Sequence, residues 1–204
     1  MKIIAPFLAA MTALVAAFAV QPASATLAEL TRHLQATDTM TATFTQTAAN
    51  GGATRGKLYL ERPGKIRFQY EKGVPLLVVA NGRSLDVVDY EVDQVQKYPI
   101  GETPLSVLLD PNAELSKFAR VKRSTDRALV VEARDPKHPE YGIITLFFER
   151  SGAAPGDLLL QGWNVVDAQG NTTRVALSNV RFNVDMPKNA FRYRDPRSRS
   201  RPGR

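Results

Sequence analysis

Hydrophobic and polar residues alternate along most of this chain. Between Met40 and Thr47, Met40, Ala42, Phe44 and Gln46 fall on one side and four threonines on the other, which predicts a β-strand. Asn50-Gly51-Gly52 marks a turn. The stretch Lys57–Tyr70 then reads as two strands meeting at Pro63-Gly64, where proline presets φ and glycine accepts unusual dihedrals. Leu58, Leu60 and Arg62 share one face of the first strand; Ile66, Phe68 and Tyr70 share one face of the second. Arg62 is the misfit. A charge at the end of an apolar face is either a rim group touching water or a buried group with partners.

Further strands are predicted at Leu76–Ala80, Ser84–Tyr90, Asp93–Tyr98, Arg120–Arg123, Ala128–Ala133, Ile143–Phe148, Leu158–Val166 and Thr173–Phe182, with Asn81-Gly82 and Gln169-Gly170-Asn171 as hairpin turns. Short connections imply antiparallel neighbours. Two regions break the period. Thr26 and Glu29 form a capping box ahead of Leu27, Leu30 and Leu34, predicting a helix over Leu27–Ala36 that carries His33. Thr103-Pro104 opens a second helix with an apolar face of Leu105, Leu108 and Leu109, ended by Pro111. Asn112 is placed to cap a third, running to about Ala119 with Leu115 and Phe118 on one side. Leu76–Val79, Ile143–Phe148 and Leu158–Leu160 are apolar on both faces. The expected fold is therefore mainly β with short helices, its sheet either curling on itself or enclosing something apolar.

The beginning of the chain reads differently. Lys2, an apolar run from Ile3 to Val20 and Ala23-Ser24-Ala25 have the layout of a secretory signal peptide, cleaved so that the exported chain begins at Thr26. No cysteine follows that site or occurs elsewhere, which excludes disulfides, thiolate metal sites and cysteine nucleophiles. The net charge of +7 is concentrated: Arg192–Arg204 holds six arginines against one aspartate, a net of +5. The domain from Thr26 to Phe191 is nearly neutral, which argues against a nucleic-acid-binding face. The arginine-rich segment is expected to be disordered.

Catalytic patterns are absent: no G-x-S-x-G elbow, Gly-rich phosphate loop or H-E-x-x-H. His33 and His138 are far apart, and His138 sits in a proline-bracketed loop, Asp135–Pro139. Asp86 and Asp89 fall on a hairpin with no third group beside them, so solvated hairpin edges explain them better than acid–base chemistry. No enzyme, metal or cofactor is expected. An apolar, curved sheet suits binding of an apolar ligand.

The segments T-A-T-F-T-Q-T (Thr41–Thr47), G-K-L-Y-L-E-R-P (Gly56–Pro63), I-R-F-Q-Y (Ile66–Tyr70), V-A-N-G-R-S-L-D-V-V-D-Y (Val79–Tyr90) and T-P-L-S-V-L-L from Thr103, in this order and spacing, resemble the LolA family of periplasmic outer-membrane lipoprotein carriers. The resemblance covers nearly all of the chain after Ala25. It implies an incomplete antiparallel β-barrel whose short helices form a lid over a hydrophobic cavity. It implies no cofactor, lipoproteins as cargo, an inner-membrane ABC transporter as donor and an outer-membrane acceptor. By the same resemblance Arg62 is a latch to lid backbone groups and Leu105, Leu108 and Leu109 belong to the lid. Phe44, Leu58, Leu60, Ile66, Phe68 and Tyr70 line the acyl cavity. Phe68 stands where family members commonly carry tryptophan. The protein is expected to be a monomer, with residues 26–191 as the carrier domain. A different reading, a lipid- or lipoprotein-sensing module on the same half-barrel, shares these features, although sensors of that kind usually add a second domain. An edge-paired scaffold protein is a third.

Overall fold

A computed structural model of the protein describes residues 23–199. The expected signal peptide lies outside these residues except for Ala23–Ala25, as do residues 200–204 of the arginine-rich segment. No helix among the described residues is long and apolar enough to cross a membrane.

Eleven strands form one antiparallel sheet: β1 (Thr39–Thr47), β2 (Ala53–Glu61), β3 (Lys65–Tyr70), β4 (Leu76–Asn81), β5 (Ser84–Asp89), β6 (Gln94–Pro99), β7 (Ala119–Ser124), β8 (Ala128–Arg134), β9 (Ile143–Arg150), β10 (Leu158–Val166) and β11 (Thr172–Phe182). Their order is β6-β5-β4-β3-β2-β1-β11-β10-β9-β8-β7. Two local meanders are thus joined at one seam, β1 against β11, with Phe44 opposite Leu177. The sheet stays open, with β6 and β7 as its edges.

The sheet is strongly wrapped. Phe68 on β3 and Trp163 on β10 are four strand spacings apart in the sheet order, about 19 Å on a flat sheet. Their rings nevertheless meet edge to face with centroids 6.0 Å apart. Inward-facing side chains of every strand but β6 join a single buried cluster, together with Leu30 and Leu34 of helix α1 (Ala23–Ala36) and Val107, Leu108 and Leu109 of helix α2 (Ser106–Leu109). Gly56 makes room in this core: a Cβ there would lie 2.7 Å from the Phe44 ring and 2.1 Å from the Gln69 carbonyl oxygen.

The helices depart from expectation. α1 starts at Ala23, so Thr26 lies inside it as a buried residue rather than at its N-cap. The segment after Thr103 forms just four helical residues. Thr103 does not cap them; its hydroxyl turns back to the Ile100 carbonyl at 2.9 Å, and Leu105 is the N-cap, without a side-chain bond. The third helix reduces to a 3₁₀ turn, Leu115–Lys117, and Ala119 already belongs to β7. Segments this short lack the cooperative hydrogen bonding of a longer helix and are held by burying their leucines.

Disorder from Arg192 onward is also corrected for the first part of that segment. Phe191 and Tyr193 pack on Leu77, Val79, Val88 and Val95 on the outer face of β4–β6. This explains why β4 is apolar on both sides: Leu76, Val78 and Ala80 face the main core, and Leu77 and Val79 lie under the chain's own later segment.

Candidate functional site

The site is built where the β2–β3 corner meets α1 and α2. Arg62 follows the last residue of β2, and by strand parity its side chain continues the Leu58/Leu60 face. Its Nε donates to the Leu108 carbonyl oxygen at 2.9 Å and its Nη1 to the Thr37 carbonyl oxygen at 2.6 Å. One side chain therefore ties α2 to the residue just after α1. The backbone adds two bonds: Arg62 N–H donates to the Asp38 carbonyl at 2.8 Å, and Gly64 N–H to the Leu109 carbonyl at 3.0 Å. The carbonyls of Leu108 and Leu109 stand in the last turn of α2, where no further helical N–H follows to reach them, and the corner supplies the donors.

Gly64 is required by this geometry. Its φ is +78°, and a Cβ would lie 2.8 Å from Gly82 Cα in the neighbouring hairpin. Asn183 secures the other side, accepting from Asp38 N–H at 2.9 Å and donating to the Ala36 carbonyl at 3.0 Å. The Thr37 hydroxyl, buried to 1% exposure, has no hydrogen-bond partner among the described residues.

Burial lowers the Arg62 pKa to about 10, with Asp38 pulling the other way, so the guanidinium stays charged at neutral pH. His33, one turn before Thr37, is also buried. Desolvation chiefly, and the positive Arg62 in addition, lower its pKa to about 4 against a bond to the Pro155 carbonyl that raises it. At neutral pH it is uncharged, with the proton on Nδ1, which donates to that carbonyl at 2.8 Å. Its ring meets Phe148 and Phe182 edge-on at 5.4 and 5.7 Å. Gly156 allows this close docking, since a Cβ there would lie 2.6 Å from His33 N. His33 is thus a packing residue, and no group of three or more potential metal ligands occurs among the described residues.

Phe44, Leu58, Leu60, Ile66, Phe68 and Tyr70 are all buried in the concave core. Phe44 packs edge-to-face with Phe68 and Tyr70 at 5.3 and 5.2 Å, and Tyr70 donates to Gln46 Oε1 at 3.0 Å. Leu105, Leu108 and Leu109 are buried in the same cluster. A groove of about 370 Å³ opens on the other side of α2, lined in part by Thr103, Val107, Phe118, Ala133 and Tyr141. The six wall residues do not line it. Val107 and Ala133 belong to both groove and core, so a wall one side chain thick separates the two.

The structure sets Arg62 against Leu108 and Thr37, adds Thr37 as a partner the sequence did not point to, and gives Gly64, legible as a turn residue, a backbone bond to Leu109. Backbone bonding at a corner leaves no mark on hydrophobic pattern. The burial of His33 was signalled by its position one residue from Leu34 and three from Leu30, on the apolar face of α1.

Residues 35–194 match the family model described as outer membrane lipoprotein carrier protein LolA. An outer-membrane lipoprotein carrier protein of Chromobacterium violaceum is 28% identical, the match covering 97% of this chain and 96% of the relative. One of Methylococcus capsulatus is 26% identical over 88% of each. Among solved structures, a DUF1329 family protein from Desulfovibrio piger has a TM-score of 0.52 at 10% identity, covering 85% of this chain and 98% of its own, a likeness of fold.

Proposed function

We propose, from the premise that this chain belongs to the LolA family of outer membrane lipoprotein carrier proteins, that it carries the acyl chains of lipoproteins across the periplasm to the outer membrane. The observation that carries this reading is Arg62, bonded at once to Leu108 of α2 and Thr37 beyond α1 above a continuous apolar core. The role is transport rather than catalysis. Cargo reaches the carrier from an inner-membrane ABC transporter and leaves for an outer-membrane acceptor, and the carrier works as a monomer whose domain begins at Thr26.

Magnitudes favour a latch that cargo can open. Exposing acyl chains costs about 0.8 kcal/mol per methylene, on the order of 10 kcal/mol for one long chain. Each charge-assisted bond from Arg62 is worth roughly 1.5–3 kcal/mol. In the closed state Leu105, Leu108 and Leu109 fill the concave face against Phe44, Leu58, Leu60, Ile66, Phe68 and Tyr70. An acyl chain takes their place when α2 withdraws.

The test is to incubate the protein with inner-membrane vesicles, ATP and labelled lipoprotein. Soluble one-to-one complexes are expected, with lipid detectable by native mass spectrometry. Labelled lipoprotein that stays wholly in the vesicles refutes the carrier reading.

A further inference from the structure

The arginine-rich segment has no part in the latch, yet the structure fixes where it leaves the sheet. Tyr193 Oη donates to Asp86 Oδ2 at 2.8 Å, and Asp86 also accepts from Lys97 Nζ at 2.6 Å and Ser84 Oγ at 2.7 Å. Arg67 Nη1 donates to the Ala190 and Arg192 carbonyl oxygens at 3.1 and 2.9 Å. Buried Asp86 and the Leu77/Val79/Val88 patch thus anchor the root of the segment, and Pro196–Arg199 lie against edge strand β6.

That edge has a second property. The large hydrophobic residues that stand exposed among the described residues are Tyr90 (38%), Val92 (57%) and Tyr98 (45%), all on or beside the β5–β6 hairpin. Tyr98 is opposite Leu85, on the concave side, whereas Lys97 is opposite Asp86 on the outer side, where Tyr193 lies. Edge strand β6 is therefore flanked by exposed aromatic and aliphatic groups and by the root of a cationic segment. Glu91 and Asp93 are the acidic groups at the hairpin tip, and Asp195 is held by Arg197 in a two-point pair at 2.9 and 2.6 Å. The six arginines of Arg192–Arg204 outweigh them.

We propose that the β6 edge, with Tyr98, Val92 and the arginine segment, is a docking surface for anionic lipid bilayers. Arg197–Arg204 alternates arginine with serine, proline and glycine and contains no apolar residue. Such a sequence specifies no shape for a structured partner but matches the diffuse field of an anionic surface. Tyrosine and valine beside it supply the amphipathic and apolar contact suited to the headgroup boundary. The inference goes beyond cargo carrying and does not depend on it.

The test is flotation of the exported protein with vesicles of phosphatidylcholine alone or mixed equally with phosphatidylglycerol. Binding is expected to the mixed vesicles at low salt and to be lost at high salt, where screening shortens the reach of each charge. One variant combines Arg197→Ser, Arg199→Ser, Arg201→Ser and Arg204→Ser. Each basic group near such a surface is worth about fivefold in partitioning, so this variant is expected to bind at least about 100-fold more weakly with an unchanged melting curve. Val92→Ser with Tyr98→Ser is expected to weaken binding further without altering its salt dependence. Equal binding of the wild type and the arginine variant overturns the proposal. So does capture of the wild type by soluble polyglutamate together with failure to float with the mixed vesicles, which would assign the segment to an acidic protein surface.

Discussion

Arg62 Nε donates to the carbonyl oxygen of Leu108 at 2.9 Å, so a side chain from the β2–β3 corner reaches a carbonyl in the last turn of α2. The same guanidinium bonds Thr37, and the neighbouring Gly64 N–H bonds Leu109. Closure of α2 over the core is therefore concentrated at one corner, and several outcomes follow from perturbing it.

Replacing Arg62 by leucine removes both side-chain bonds and leaves the Leu108 and Thr37 carbonyls without those donors, a loss of roughly 1–3 kcal/mol per unmet group. Amide exchange across Ser106–Leu109 should speed up while exchange in β1 and β11 stays slow. Transfer of bound lipoprotein to acceptor membranes should fall, with the protein still folded. Normal transfer by Arg62→Leu would remove the latch role.

Gly64→Ala places a methyl group 2.8 Å from Gly82 Cα at a φ of +78°. The left-handed conformation alone costs about 1–2 kcal/mol. The urea midpoint should drop by more than that conformational cost predicts. A midpoint equal to wild type would show that the corner relaxes without strain.

Thr37→Val deletes the buried hydroxyl that lacks a partner among the described residues, at nearly constant shape. The closed form should gain about 1 kcal/mol, a rise of roughly 2–4 °C in melting temperature for a chain of this size. Uptake of a fluorescent fatty acid should slow in parallel. A fall in melting temperature would mean that the hydroxyl contributes to the closed state.

His33 gives stability a pH dependence of definite sign. Its pKa is lowered on folding, from 6.5 to about 4, so between these values the unfolded chain binds the extra proton. This contribution is present in full above pH 6.5 and is lost as the pH falls toward 4, in total about 3 kcal/mol. Urea midpoints at pH 7 and pH 5 should differ in the wild type and converge in His33→Gln. An unchanged difference in that variant would assign the effect to other groups.

The strand meander is legible from the sequence because each hairpin pairs an alternating run with a turn signal, and Leu58/Leu60/Arg62 shows how parity alone exposes a misplaced charge. Arg62 stood out on that ground as a charge in need of partners, and the structure supplies them in the Leu108 and Thr37 carbonyls. The helices were legible in part: α1 contains the expected Leu27–Ala36, whereas Thr103 has the chemistry of a cap but its hydroxyl satisfies the preceding turn instead. The bond from Gly64 to Leu109 is backbone to backbone, so no side-chain pattern announces it. Tyr193 was hidden by the arginines around it, although its signal was present elsewhere, in a β4 strand apolar on both faces and therefore in need of cover.

The seam between β1 and β11 also has a kinetic side. Thr39 Oγ1 donates to the Val184 carbonyl oxygen at 2.7 Å across 145 residues of sequence. Each meander forms from near neighbours, but their union is among the most non-local contacts in the chain, and loops of that length close slowly. A growing or translocating chain cannot complete the concave face until β11 has arrived. Until then Phe44 lacks its partner Leu177 on one flank, and the apolar interior stays exposed. This protein therefore carries its own need for protection on the way to its compartment, confined to the interval before its last strand pairs with its first.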